Sequence, residues 1–159
     1  MSSTYKLNPI GQCEMIDGQF AVRLTPNVRL GLKGLHGFSH AIALWWAHET
    51  DSQEQRARLT IMSPYTSASG ELGVFSTRSE ARPNPIGLSV FSIASIDLEA
   101  GIVFSHYFDM LPETPILDLK PYFPASDRVE NASVPDHFSH WPNSLEASAG
   151  FDWEKEFTA

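Results

Sequence analysis

The sequence predicts a mainly β protein, a small all-β barrel or sandwich with minor helix. Short segments rich in β-branched and aromatic residues recur along the chain at even spacing, which is typical of such folds. Clusters of glycine, proline, asparagine and aspartate separate these segments and predict turns. With 159 residues, 42 % of them hydrophobic and 19 % charged, the chain is long enough to bury one sizeable core.

The first third of the chain contains three candidate strands. Residues 4–11 begin a short strand that a proline and a glycine interrupt, and residues 19–26 alternate apolar and polar positions as a half-buried strand does. Residues 27–38 carry three glycines and predict a connection. Residues 39–50 favour a buried strand over a helix because two tryptophans stand beside β-branched isoleucine. Residues 51–60 predict one or two helical turns.

The remaining strands surround two turn-rich loops. Residues 59–70 predict a strand that enters the first loop, and residues 71–79 predict the strand that leads to the second. Residues 86–111 predict two strands joined by a loop at 97–101. Residues 115–123 predict the last strand, which prolines close.

Residues 125–159 differ in composition, with many serine, proline and acidic residues. Aromatic residues recur among them, which predicts a tail that packs onto other structure. They are Phe138, Trp141, Phe151, Trp153 and Phe157. We therefore expect a first domain at 1–124 and a tail at 125–159 that packs on this domain or on a partner subunit.

Charge and composition exclude several classes of function. The net charge of −8 argues against a broad nucleic-acid surface but not against a local basic patch. A lone cysteine, Cys13, excludes an internal disulfide framework and the usual thiolate zinc sites. Neither a membrane span nor a secretion signal is evident, so we expect a cytoplasmic protein without membrane association.

The segment TRSEARPNPIG at 77–87 combines cations with a stiff backbone. Arg78 and Arg82 present planar donor forks that suit carboxylate or phosphate. Two prolines restrict the backbone around Asn84, whose amide could read an adenine edge. Gly87 would permit a close approach of ligand or backbone. The pattern predicts an anion or amphoteric ligand site, or else an ordinary hairpin connector with solvent-facing arginines.

A second cluster lies in DMLPETPILDLKPY at 109–122. Asp118 and Lys120 share one face of a strand and are expected to pair. The carboxylates of Asp109, Glu113 and Asp118 could accept hydrogen bonds from a ribose or an amine, but a plain ion pair is the favoured interpretation.

Histidines and aromatic residues precede the two clusters. His36, His40 and His48 could suggest a metal site, although packed neutral histidines are the favoured interpretation. His40 could instead face an active site. Among the aromatic residues expected in the core, Phe75 is the best candidate for stacking on adenine.

Three segments together resemble the TrmO family, also called the TsaA-like domain. GVFSTRSEARPNPIGLSV is similar to the family pattern GVFATRSPxRPNPIGLS, and DMLPETPILDLKPY is similar to LDxxDGTPVLDIKPY. GLKGLHGFSHAIALWWAHE at 31–49 resembles GLxGFSHxWxLxxFH. The resemblance implies a small, mostly antiparallel β-barrel that acts as a homodimer. It implies an S-adenosylmethionine-dependent methyltransferase that methylates N6 of threonylcarbamoyl-adenosine beside the tRNA anticodon.

The resemblance also implies a set of site residues, and the histidine pattern leads us to expect no metal. The expected cofactor-binding residues are Phe75, Thr77, Arg78, Ser79, Arg82, Asn84, Pro85, Ile86, Asp118 and Lys120. The candidate proton acceptors are Asp118 and His40.

The sequence departs from the family pattern in ways that concern the substrate. PETP at 112–115 replaces DGTP, and the segment between Trp46 and Gly73 lacks an arginine- and glycine-rich insertion. The chain is also strongly acidic, which suggests a short divergent branch. Two alternatives therefore stay open: a methyltransferase with another small-molecule acceptor, and a non-catalytic S-adenosylmethionine-binding module.

Overall fold

The computed structural model describes residues 4–158, which form two compact units. The first unit contains residues 4–52 and 84–128, and the second contains residues 53–83 and 129–158. Residues 129–158 of the tail thus belong to the same unit as the segment 53–83. A domain boundary at residue 124 stays a prediction.

Over residues 4–158 the chain forms nine strands and three short α-helices. The strands are β1 (Gly11–Ile16), β2 (Gln19–Leu24), β3 (His40–Trp46), β4 (Thr60–Met62), β5 (Glu71–Gly73), β6 (Ile86–Ser92), β7 (Ser95–Asp97), β8 (Ile102–Ser105) and β9 (Pro115–Pro121). The helices are α1 (Gln53–Ala57), α2 (Pro124–Asp127) and α3 (Leu145–Ser148). Single turns of 3₁₀ helix lie at Arg29–Leu32, Leu35–Gly37, Val74–Ser76, Asp136–Phe138 and Trp153–Lys155.

The first unit is built on one antiparallel sheet. Among the described residues, seven strands follow the order β6-β3-β9-β1-β2-β8-β7. The prediction of a mainly β, mostly antiparallel fold with minor helix is therefore confirmed. Within residues 4–158 no ladder joins β6 to β7, so the sheet is open. These two end strands are nevertheless separated by residues 93 and 94 alone, so the sheet must curve strongly.

The hairpin between β1 and β2 closes through Asp17 and Gly18. Both residues have positive φ, 48° and 80°, as a two-residue type I′ turn requires. The turn sets a register in which Cys13 lies opposite Val22. Both side chains are fully buried, so the hairpin contributes one face to the core.

Strand β3 lies between β6 and β9 in this sheet. Ala41, Ala43 and Trp45 face the core and are buried. His40, Ile42, Leu44 and Trp46 alternate with them and therefore share the opposite face.

The second unit combines a two-stranded sheet, β4-β5, with the tail. The rings of Phe138, Trp141 and Phe157 lie 4.9, 5.6 and 5.7 Å from the ring of Tyr65, which is buried. The core of this unit is thus formed by packed aromatic rings rather than by packing between helices and sheets.

Three strand predictions differ from the structure. Residues 86–111, expected to form two strands, form three: β6, β7 and β8. The strand predicted to begin within 4–11 begins only at Gly11, the last residue of that segment, because Pro9 lacks the N–H that a ladder needs. The strand expected over 71–79 ends at Gly73. There the hydroxyls of Ser76 and Thr77 donate to the carbonyls of Gly73 and Val74, at 2.7 and 3.0 Å. Such local bonds compete with strand pairing.

Within the described part of the chain, no helix is long and apolar enough to cross a bilayer.

Candidate functional site

The loop at 74–82 in the second unit is fixed by its own side chains. The hydroxyl of Thr77, which is buried, donates to the carbonyl of Val74 and accepts from the backbone N–H of Ser79, at 3.0 and 3.2 Å. The hydroxyl of Ser79 accepts from the N–H of Ala81 at 3.2 Å. The guanidinium of Arg82 donates to the carbonyl of Ser79 at 3.1 Å. Successive turns therefore give this loop a defined backbone.

The exposed residues of this loop include Phe75 and Arg78. Phe75 is 77 % exposed, so the expectation that it belongs to the core is wrong. The side chain of Arg78 is also exposed, and its backbone N–H donates to the hydroxyl of Tyr65 at 3.4 Å. An aromatic face and a guanidinium are thus presented three residues apart on an ordered backbone.

Residues 84–87 of the motif belong to the first unit, where they have different surroundings. Asn84 is exposed, whereas the side chain of Pro85 is fully buried. The carbonyl of Pro85 accepts from the N–H of Ala47 at 2.8 Å, and the N–H of Ile86 donates to the carbonyl of Asn84 at 2.7 Å. Pro85 therefore anchors the motif in the core while the amide of Asn84 faces outward.

The second cluster forms the ion pair that the sequence predicts. Lys120 Nζ lies 2.7 Å from Asp118 Oδ2 on β9, and both side chains are about half-exposed. The hydrogen bond to Asp118, with its negative charge, raises the pKa of Lys120. The carboxylate of Asp118 thus lies next to a cation. Because Asp118 is opposite Leu44 in the ladder, both side chains are on the same face of the sheet.

His40 lies on the same face as Asp118 but at a distance. Asp118 pairs with Leu44 in the ladder, and His40 is four residues away along β3, or about 13 Å at the rise of a strand. The ring nitrogen Nδ1 of His40 is 2.9 Å from the hydroxyl of Ser39, and the ring packs edge-on against Tyr122. The two candidate proton acceptors therefore cannot serve one reacting atom together.

The histidines that could have suggested a metal do not form a cluster in the described residues. His36 and His48 are exposed. Within residues 4–158, no group of three or more histidine, cysteine, aspartate or glutamate side chains is arranged to hold a metal ion.

The structure adds a polar chain that the sequence reasoning missed. The indole N–H of Trp45 donates to the hydroxyl of Ser89 at 2.9 Å, and that hydroxyl donates to the carboxylate of Asp109. Ser89 and Trp45 are buried, whereas Asp109 is exposed. The family patterns could have indicated both polar residues. Ser89 aligns with the serine that ends GVFATRSPxRPNPIGLS, and Asp109 aligns with the first aspartate of LDxxDGTPVLDIKPY.

The altered DGTP position adopts an unusual backbone. Glu113 has φ of 70°, a conformation that suits the glycine of the family pattern. Its N–H donates to the carbonyl of Cys13 at 2.7 Å, and the N–H of Cys13 donates to Thr114 at 2.9 Å. The turn is thus fastened to β1 even though a glutamate occupies it.

Comparison with known proteins identifies a match over most of the chain. A family model described as the N-terminal domain of tRNA-methyltransferase O matches residues 4–128. The chain is 34 % identical to a probable S-adenosyl-L-methionine-binding protein of Pyrococcus abyssi. The alignment of 126 residues covers 79 % of this chain and 64 % of that protein. The chain is 31 % identical over 126 residues to the tRNA (adenine(37)-N6)-methyltransferase of Escherichia coli, covering 78 % and 53 % of the two chains.

The fold is similar to a solved structure of the same kind. The crystal structure of TrmO from Pseudomonas aeruginosa superposes with a TM-score of 0.66 at 27 % identity, covering 86 % of this chain and 62 % of that one. The chain thus spans less than two thirds of the length of each of these relatives.

Proposed function

Because the chain belongs to the family of tRNA-methyltransferase O N-terminal domains, we propose that it is an S-adenosylmethionine-dependent methyltransferase. Its acceptor is N6 of threonylcarbamoyl-adenosine beside the anticodon of tRNA. The relatives named for S-adenosylmethionine binding and for methylation of tRNA adenine 37 support this proposal. A tRNA acceptor would place the protein in the cytoplasm.

The observation that carries the proposal is the exposed pair Phe75 and Arg78 on a loop fixed by local hydrogen bonds. S-adenosylmethionine has an adenine ring and an amino-acid carboxylate, which suit an aromatic face and a guanidinium. The fixed backbone fits such a ligand because little conformational entropy is lost when it binds. Thr77, Ser79 and Arg82 support this loop, and Ser79 and Arg82 can also offer polar atoms.

The first unit carries candidate cofactor-binding residues of its own. The exposed amide of Asn84 can donate to and accept from an adenine edge, and the backbone of Pro85 and Ile86 lies beside it. The carboxylate of Asp118, which forms an ion pair with Lys120, can accept from a ribose hydroxyl or an ammonium group.

The bound cofactor would supply a methyl group on a positively charged sulfur, which keeps the bonding electron pair when the methyl leaves. The protein must then align the acceptor nitrogen with that carbon and exclude water. The acceptor nitrogen loses one proton when its new bond forms. Asp118 and His40 are the candidate acceptors of this proton, and their separation in the ladder makes them alternatives.

We also propose that the curved sheet of the first unit is a barrel-like fold. We further propose that the chain functions as a homodimer. One face of β3 and β6 carries Ile42, Leu44, Ile86, Leu88 and Val90, and Ile86 and Leu88 are 39 % and 42 % exposed. A second copy would cover such apolar positions. Sedimentation equilibrium should give twice the chain mass for the wild type and the single-chain mass for L88E.

Calorimetric titration with S-adenosylmethionine tests the cofactor. Arg78→Ala should weaken binding by roughly 10- to 100-fold, since a charge-assisted bond to a carboxylate is lost. Asn84→Ala should weaken it less. Arg58→Ala is the matched control, because Arg58 is a partly exposed arginine of the same unit that pairs with Glu54 at 3.0 Å. If the wild type gives no heat of binding, both the enzyme and the binding-module proposals are wrong.

A transfer assay tests the acceptor. Labelled S-adenosylmethionine and tRNA that carries threonylcarbamoyl-adenosine should yield label on that nucleoside. The net charge of −8 and the replacement of Asp-Gly by Pro112-Glu113 favour the alternatives of another acceptor or a non-catalytic binding module. Tight cofactor binding with unlabelled tRNA would favour these alternatives over the tRNA proposal. Asp118→Asn and His40→Gln, assayed across pH, would show which side chain accepts the proton.

A further inference from the structure

The tail of the second unit encloses a residue that also touches the Arg78 loop. Three tail rings, those of Phe138, Trp141 and Phe157, pack around the ring of Tyr65 at centroid distances of 4.9 to 5.7 Å. The phenol oxygen of Tyr65 accepts from the N–H of Arg78 at 3.4 Å. Tyr65 therefore has its ring in the tail cluster and its hydroxyl on the loop.

Backbone hydrogen bonds hold the tail in place beside Tyr65. Tyr65 forms a β-bridge with Phe157. The N–H of Thr66 donates to the carbonyl of Glu156 at 2.9 Å, and the N–H of Thr158 donates to the carbonyl of Pro64 at 2.8 Å. The residues on both sides of Tyr65 are thus bonded to the end of the tail.

A carboxylate closes the tail upon itself. Glu156, which is buried, accepts from the indole N–H of Trp141 at 2.7 Å and lies 2.8 Å from Nε2 of His140. This links the start of the tail cluster to its end, so the rings are held around Tyr65 as a group. The family match ends at residue 128, so all of these tail residues lie outside it.

We propose that Tyr65 is a positioning residue for the cofactor-binding loop and that residues 136–158 of the tail fix Tyr65 in that role. The inference rests on the proposed function, in which Arg78 binds the cofactor. Arg78 stands on an exposed loop, and its backbone hydrogen bond to Tyr65 limits where its guanidinium can reach. Residues 136–158 of the tail, which lie outside the residues that the family model matches, thereby help to fix the conformation of the loop.

Tyr65→Phe tests the proposal, because it removes the hydroxyl and keeps the ring in its cage. Amide hydrogen exchange, measured by NMR without ligand, should become about 2- to 10-fold faster at Arg78, the range for one lost hydrogen bond. Affinity for S-adenosylmethionine should fall by a similar factor. Tyr107→Phe is the control, since Tyr107 is an exposed tyrosine of the first unit that packs on Phe20, and it should change neither quantity.

Trp141→Phe tests the contribution of the tail. It keeps an aromatic ring beside Tyr65 but removes the donor to Glu156, so exchange at Arg78 and cofactor affinity should move in the same direction as in Y65F. Exchange within β3, for example at Ala43, should stay unchanged in both variants, which a general loss of stability would not allow.

The outcomes separate this inference from the function on which it rests. Unchanged exchange at Arg78 in Y65F overturns the positioning role, whatever the affinity. Faster exchange with unchanged affinity also overturns it if R78A still weakens binding. If R78A binds as tightly as the wild type, the cofactor role of Arg78 fails instead, and the exchange data still report whether Tyr65 fixes the backbone.

Discussion

Gly87 lies opposite Trp45 in the ladder between β3 and β6, and the indole ring of Trp45 fills the space that a side chain at Gly87 would need. A Cβ there would overlap three ring carbons. The close approach expected at this glycine is therefore made by a core residue of the neighbouring strand. The same indole donates to Ser89, so the position of the ring affects both the core and the polar chain to Asp109.

Gly87→Ala should destabilise the protein by about 1–3 kcal/mol, the usual cost of forcing extra volume into a packed core. Urea unfolding followed by tryptophan fluorescence measures the change. Gly31→Ala is the control in the same unit, because nothing lies within 4 Å of a Cβ at Gly31. Equal midpoints for G87A and the wild type would show that the indole is free to move aside.

Glu113→Gly should stabilise the protein by about 0.5–1 kcal/mol. A left-handed conformation costs an L-residue about 1–2 kcal/mol, and φ at Glu113 is 70°. Glycine avoids this cost. It also makes the unfolded chain more flexible, which favours unfolding by about 0.4–1 kcal/mol, so the net stabilisation is smaller than the strain that is relieved. Glu113→Ala removes the same carboxylate without relieving the backbone, so its unfolding free energy should not rise. A gain in E113A equal to that in E113G would mean that charge, not strain, is responsible.

The sequence predicted the features that depend on neighbouring residues. The strand at 40–46 followed from its apolar run with two tryptophans, and the pairing of Asp118 with Lys120 followed from their two-residue spacing on β9. Both are local consequences of strand geometry. The end of β5 at Gly73 was missed because hydroxyl-to-carbonyl bonds of Ser76 and Thr77 outweighed the apolar pattern.

Contacts between residues that are far apart in the chain could not be predicted from the sequence. Nothing in the spacing of the tail aromatics indicated that they would surround Tyr65, some 70 to 90 positions away. The exposure of Phe75 was likewise unpredictable from composition, since an aromatic residue beside a buried valine is typical of a core. Candidate ligand-binding residues can thus be proposed from motifs, whereas candidate positioning residues require the structure.

Stability should fall at acidic pH through Glu156. Hydrogen bonds from Trp141 and His140 lower the pKa of this carboxyl, while burial and the negative charge of Asp152 oppose the shift. A carboxyl whose pKa is lower in the folded state stabilises it fully above the ordinary value of about 4.3, and this contribution is lost as pH falls through the lowered pKa. Urea midpoints measured between pH 3 and 7 should therefore decline less steeply on the acid side for Glu156→Gln than for the wild type. Glu154→Gln, at an exposed position, is the control and should keep the wild-type slope.

Cys13 should resist alkylation in the folded protein. Burial, with the nearby charge of Glu14, raises the pKa of its thiol to about 11, so about one thiol in a thousand is ionised at pH 8. In the unfolded chain an ordinary thiol with a pKa of about 8.5 is roughly one quarter ionised at that pH. The side chain is also fully buried and its sulfur faces the carbonyl of Met110. Iodoacetamide at pH 8, followed by mass spectrometry, should modify the thiol rapidly in concentrated urea and at least 100-fold more slowly in buffer. Comparable rates in the two conditions would mean that β1 opens readily and that the hairpin core is far less stable than its burial implies.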